Sequence, residues 1–141
     1  MIVMLQVDLV RWMIIHSPRD TRFANEFAGM MRKIGPQMGI QVGDALISGL
    51  RDESTDSYLR ALRQNINPSL QVVVILFPTT RDDRYSAVKK LCCSEMPIAS
   101  QVSSLFQSCL IFPHYKLFFE SAVQKTVTVH RDYLLLNFYK L

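Results

Sequence analysis

The sequence predicts an α/β fold, a short parallel sheet flanked by helices, and three observations carry that reading. Short apolar runs alternate with amphipathic stretches that carry helix-start and helix-stop residues at their ends. The strongest run, Gln71-Val-Val-Val-Ile-Leu-Phe77, is a continuous β-branched stretch of the kind a sheet buries on both faces. The 141 residues, 49% hydrophobic and 20% charged, suffice for one packed core and argue against wholesale disorder.

Trp12-Met-Ile-Ile15 reads as the first strand, four apolar residues between Arg11 and the His16-Ser-Pro break. Asp20 or Thr21 caps the helix that follows. Along it Phe23, Phe27, Met30, Met31 and Ile34 recur at i, i+4, i+7, i+8 and i+11, one helical face, and Gly35-Pro36 ends it. Gly39-Ile-Gln-Val-Gly43, held between glycines, is the expected second strand.

Ser54, Thr55 or Asp56 caps a second helix with Leu59, Leu62 and Ile66 on one face, and Asn67-Pro68 stops it. After the 71–77 strand comes a loop, Pro78-Thr-Thr-Arg81. Asp82 and Asp83 sit well at the positive end of a third helix, which continues through Tyr85, Val88, Lys89 and Cys92 until Pro97. Ile98-Ala-Ser-Gln-Val102 is the last strand. The order β-α-β-α-β-α-β, with helical crossovers between short apolar strands, is that of a Rossmann-like sheet. This domain spans 11–103, after a lead-in at 1–10. Residues 104–141 contain no glycine, one proline (Pro113) and many large apolar side chains, a tail of different texture.

Several function classes lose support on composition and spacing. The net charge of +4 is compatible with a polyanionic partner without demanding one. No apolar run reaches the eighteen or so residues of a spanning helix. Met1-Ile-Val-Met-Leu lacks a basic leader and meets Asp8 and Arg11 too soon for a signal peptide. Cys92, Cys93 and Cys109 make neither a disulfide framework nor a CxxC pair, which points to a reducing, intracellular setting. His16, His114 and His130 are too dispersed for a ligand set, and Asp52, Glu53 and Asp56 suit helix capping. Ser100 and Ser103 have no nucleophile elbow, and Gly39, Gly43 and Gly49 form no dinucleotide fingerprint.

In open α/β sheets ligands gather beyond the carboxyl ends of the strands, which draws attention to the loop after the 71–77 strand and the helix behind it. Tyr85 and Lys89, four residues apart, project from one face of that helix. Gln101 follows twelve residues after Lys89, in a strand that returns beside them. A ring, a cation and a neutral amide meeting at a strand edge suit a terminal nucleotide. The ring stacks on a base for roughly 1–3 kcal/mol, and the ammonium pairs with phosphate oxygens as a point charge. On residue types alone, a Tyr–Lys pair at this spacing on a half-exposed helix is more often packing plus solvation.

The wider string adds a resemblance. Trp12-Met-Ile-Ile, Gly39-Ile, Ser57-Tyr-Leu-Arg-Ala-Leu-Arg-Gln64, Gln71-Val-Val-Val-Ile-Leu, Asp83-Arg-Tyr-Ser-Ala-Val-Lys-Lys-Leu-Cys-Cys93 and Pro97-Ile-Ala-Ser-Gln-Val102, in that order, resemble the MID domain of Argonaute proteins, and of the PIWI clade in particular. It covers about residues 11–102. The resemblance implies a pocket for the 5′-monophosphorylated first nucleotide of a small single-stranded guide RNA. In it Tyr85 stacks on the base, Lys89 and Gln101 bind the phosphate, and Pro78, Thr79, Thr80 and Arg81 form the nucleotide-specificity loop. Pockets of this type are also associated with a magnesium ion near the phosphate, which makes Gln101 a candidate metal ligand.

Family membership further implies germline silencing of transposons by piRNA-like guides. With it come protein partners of that pathway, no membrane association, and a cytoplasmic location extending to perinuclear granules. After Val102 the match ends. The helix that brings a second phosphate-binding lysine in the family has no counterpart, since neither Lys116 nor Lys125 has motif support. The slicing carboxylates are likewise unmatched, so the expected product is a truncated, non-catalytic chain with a divergent tail. Two other readings stand beside this one: a protein-interaction module that has lost RNA binding, and a small α/β nucleotide-binding enzyme.

Overall fold

A computed structural model describes residues 8–78 and 82–104. The lead-in up to Val7, loop residues Thr79, Thr80 and Arg81, and the tail from 105 onward, with Cys109, His114, Lys116, Lys125 and His130, lie outside the described residues. Four parallel strands form the sheet: β1 (Trp12–His16), β2 (Leu46–Gly49), β3 (Val72–Phe77) and β4 (Ala99–Ser104), in the order β2-β1-β3-β4. Helices α1 (Thr21–Ile34), α2 (Thr55–Asn65) and α3 (Asp82–Lys90) make the crossovers. The expected α/β architecture is the observed one.

Strand alternation sorts the core into two layers. Trp12, Ile14, Val72, Val74, Leu76 and Ala99 face α1, where Phe27, Met31 and Ile34 meet them. Met13, Ile15, Val73, Ile75 and Phe77 face the other way, onto Tyr58 and Leu62 of α2 and Val88 of α3. Every residue of β1 and β3 is buried, as central parallel strands require.

The second strand lies elsewhere than expected. Gly39–Gly43 makes only an isolated bridge between Val42 and Leu9, with Gly43 N–H on the Leu9 carbonyl at 2.8 Å. The Trp12 indole N–H then donates to the Gly43 carbonyl at 2.8 Å, so this segment crosses the amino end of β1 before pairing can begin. Pairing starts at Leu46, which is 58% exposed on an edge strand of the described sheet, and two apolar residues before Ser48-Gly49 leave little pattern to read. Gly49 has its own reason: a Cβ there would stand 3.1 Å from the His16 ring.

Helix ends also differ in detail. Gly35-Pro36 ends α1 as expected, Ile34 being its last residue. Gly35 keeps right-handed angles, and the chain tightens into a 3₁₀ turn, Gly35–Met38, with proline in its first turn, where a missing N–H costs least. That turn stops at Gly39, at φ 87°, a left-handed position that favours glycine. Asp20 occupies the cap position of α1, but its carboxylate accepts from the Ser17 hydroxyl at 2.7 Å. Ser54 caps α2 as expected, accepting from the Ser57 N–H at 3.2 Å. α3 does not run on to Pro97: after Lys90 it widens into a π turn, Leu91–Glu95. Ile98 joins the core instead of β4, which reaches two residues further than Val102, to Ser104.

Candidate nucleic-acid interface

α3 is fixed against the sheet by Val88, and Leu91 and Cys92 of the following turn continue the contact; all three are buried. That orientation sends Lys89 to β4. Its ammonium donates to the Ser100 carbonyl at 2.8 Å and to the Ser100 hydroxyl at 3.0 Å. Cys92, one turn on, shares the Ser100 hydroxyl; burial pushes its thiol pKa up, against that hydrogen bond and the Lys89 charge. Tyr85, one turn before Lys89, keeps 48% of its surface exposed.

Gln101 is next to Ser100 in the chain, but strand alternation puts the two on opposite faces: Ser100 pairs with Val73 on the α3 side, Gln101 with Val74 on the α1 side. The Gln101 amide is half-buried and donates to the Val102 carbonyl at 3.2 Å. Lys89 therefore meets the residue before Gln101, and its recorded partners are oxygens of Ser100. β4 is an edge strand among the described residues, and Lys89 and Gln101 stand on its opposite faces with separate partners, so the expected meeting of cation and amide is not made by direct contact. Pro78, the first loop residue, is buried at the end of β3.

A second polar group, missed in the sequence, lies at the carboxyl ends of β1 and β3. Sheet growth reverses between these strands, with β2 on one side and β3–β4 on the other, the position where open α/β sheets form a crevice. His16, Ser17, Asp20 and Arg84 are all buried there. His16 Nδ1 lies 2.7 Å from the Ser17 carbonyl, which only accepts, so that nitrogen carries the proton. Arg84 donates to the Glu53 carbonyl at 2.8 Å and places its guanidinium carbon 5.6 Å from the Tyr58 ring centre and 5.3 Å from that of Phe77. Those rings meet edge-on at 5.0 Å, and the Tyr58 hydroxyl donates to the Leu76 carbonyl at 2.9 Å. Burial pushes the Tyr58 pKa well up, against the pull of Arg84. One signal was legible: Arg84, Val88 and Leu91 fall at i, i+4 and i+7, so a charge occupies an apolar-face position.

Of the acidic trio, Asp52 and Asp56 stand at the start of α2 as expected, while the Glu53 carboxylate pairs with Arg19. Asp52 accepts from Ser54 N–H, Ser54 Oγ and Ser57 Oγ at 2.9, 2.6 and 2.6 Å. Asp56 lies in the first turn of α2. Among the described residues no three His, Cys, Asp or Glu gather as a metal set. No described helix is long and apolar enough to cross a membrane.

No family model matches the chain. It is 42% identical over 100 residues to Piwi-like protein Ago3 of Bombyx mori, covering 71% of this chain and 11% of that protein. It is 38% identical over 96 residues to protein argonaute-3 of Drosophila melanogaster, covering 68% and 11%. Over that stretch the chain is homologous to the Piwi-type Argonautes. Among solved structures, the Arabidopsis thaliana AGO5 MID domain superposes with TM-score 0.62 at 20% identity, covering 87% of this chain and 89% of that one. Drosophila Piwi superposes with TM-score 0.73 at 18% identity, over 84% of this chain and 16% of that one. The fold is that of an Argonaute MID domain. The chain spans 11% of the length of the curated relatives it matches.

Proposed function

We propose that this Piwi-type MID domain binds the 5′-monophosphorylated end of a small guide RNA. Homology to Piwi and Argonaute proteins supports small-RNA binding. The finer reading rests on one observation: the Lys89 ammonium is held on neutral oxygens of Ser100, the chain neighbour of Gln101, and lies one turn from the exposed Tyr85. An ammonium that has given up water for a carbonyl and a hydroxyl still carries its full charge, which attracts a phosphate. In this reading the phosphate settles at the β4 edge, Lys89 and Gln101 bind it, and Tyr85 stacks on the base. Recognition is then of an unpaired terminus, tolerant of the sequence beyond it.

Gln101 offers one neutral oxygen to a magnesium ion, and no acidic cluster accompanies it among the described residues. That donor set fits a shared ligand for an ion resting mainly on phosphate oxygens and water, and is too small to hold the ion alone. Pro78–Arg81 as the specificity loop, piRNA-like guides, germline transposon silencing, silencing-pathway partners and a cytoplasmic or perinuclear location belong to the same proposal. The test is a paired titration of the 141-residue chain with one RNA bearing a 5′ phosphate or a 5′ hydroxyl. Preference for the phosphate supports the reading. Equal affinity in folded protein favours the interaction module, and turnover of a small nucleotide favours the enzyme.

A further inference from the structure

Arg84 is 2% exposed, whereas its neighbour Tyr85 is 48% exposed. Successive helix residues point about 100° apart, so whatever fixes Arg84 inward fixes the direction in which Tyr85 projects. The guanidinium lies against the Phe77 ring at the end of β3 and the Tyr58 ring of α2, and donates to the Glu53 carbonyl ahead of α2. One side chain in the first turn of α3 thus reaches two other elements, β3 and α2, and the loop ahead of α2. Val88, Leu91 and Cys92 hold the later turns by apolar contact, and Lys89 ties the last turn to Ser100, whereas the first turn, next to Tyr85, has the Arg84 contacts. A hydrogen bond to a fixed carbonyl is directional where packing is not.

A buried charge is weak evidence for stability, since a well-packed apolar residue of similar volume often serves as well. The charge here is better explained by orientation. We infer that Arg84 is a positioning residue for the first nucleotide: through its contacts with Glu53, Tyr58 and Phe77 it sets the angle at which Tyr85 presents its ring. The inference rests on the reading that Tyr85 stacks on the first base.

The experiment compares three RNAs on the full chain: a 5′-phosphorylated strand, the same strand abasic at its first nucleotide, and the same strand with a 5′ hydroxyl. Arg84→Met keeps apolar volume, Arg84→Lys keeps the charge and one donor, and a double variant adds Tyr85→Ala to Arg84→Met. Arg84→Met is expected to lower the base-over-abasic affinity ratio about threefold or more, the coupling typical of residues in contact. It should leave the phosphate-over-hydroxyl ratio in place. Arg84→Lys should restore part of the lost ratio, and in the Tyr85→Ala background Arg84→Met should cost nothing further.

Folding is followed by thermal melting. If Arg84→Met does not fold, Phe77→Leu removes one ring under the guanidinium and is expected to lower the same ratio. A folded Arg84→Met or Phe77→Leu chain with an unchanged base-over-abasic ratio overturns the inference, as does a wild-type chain that prefers the phosphate but binds base and abasic ends alike. A wild-type chain indifferent to the phosphate overturns the proposed function itself, a distinguishable result.

Discussion

Lys89 donates to both oxygens of Ser100, the carbonyl at 2.8 Å and the hydroxyl at 3.0 Å, and enters none of the ion pairs among the described residues. Its charge is carried by α3 to β4, an edge strand among the described residues, with no described carboxylate paired to it.

Removing that charge should discriminate between RNA ends. A hydrogen bond to a charged group contributes about 1.5–3 kcal/mol, so Lys89→Ala is expected to weaken binding of 5′-phosphorylated RNA by roughly 10- to 100-fold. Binding of 5′-hydroxyl RNA should change much less. The slope of log affinity against log salt should become shallower by about 0.7 for one phosphate contact on a single strand. Fluorescence anisotropy over a salt series measures both quantities.

Tyr85 should contribute through its ring alone. Tyr85→Ala is expected to cost about 1–3 kcal/mol of RNA affinity, and Tyr85→Phe very little. Because the ring is half-exposed, neither change should move folding stability by more than about 0.5 kcal/mol. Titration and a denaturant melt of the same preparations separate the two effects.

Asp52 supplies a pH signature. Three donors, the Ser54 and Ser57 hydroxyls and the Ser54 N–H, hold its pKa at about 2, below the ordinary 3.8. A depressed carboxyl pKa contributes stability that is fully present above the unfolded value and fades as pH falls through the folded one. The melting-temperature gap between wild type and Asp52→Ala should therefore be constant above about pH 5 and close between pH 3.8 and about 2. A gap unchanged down to pH 2 would exclude the ionised carboxylate as its source.

The adjacent cysteines should react unequally. Cys93 is exposed, whereas Cys92 is buried with its thiol pKa raised, and the thiolate is the reactive form. Brief alkylation at neutral pH followed by peptide mapping should find Cys93 modified and Cys92 spared until the chain is denatured.

Much of the fold was legible because periodicity reports burial. Phe27, Met31 and Ile34 on α1, and the Val72–Phe77 run, read directly as core. β2 was not legible: Leu46–Gly49 is an exposed outer strand whose position depends on Trp12 and Leu9 holding the preceding segment aside. Gly35-Pro36 ends α1 as read, and the 3₁₀ turn that follows, closed by Gly39, has no periodicity to announce it. At the site, helical spacing places Tyr85 and Lys89 one turn apart on α3, while strand alternation, which separates Gln101 from Ser100, becomes decisive only once the register with β3 is known. Arg84 was passed over because buried arginines are rare and its partners Glu53, Tyr58 and Phe77 are distant in sequence.

The central claim is that a terminal phosphate settles between Lys89 and Gln101. Its most direct measurement is a ¹⁵N-resolved NMR titration of the labelled chain with a nucleoside 5′-monophosphate, matched against the free nucleoside. The expected result is a set of shifts confined to Tyr85, Lys89, Ser100 and the Gln101 side-chain amide, produced by the monophosphate and not by the nucleoside. Shifts that spare those residues, or that both compounds produce alike, would contradict the account.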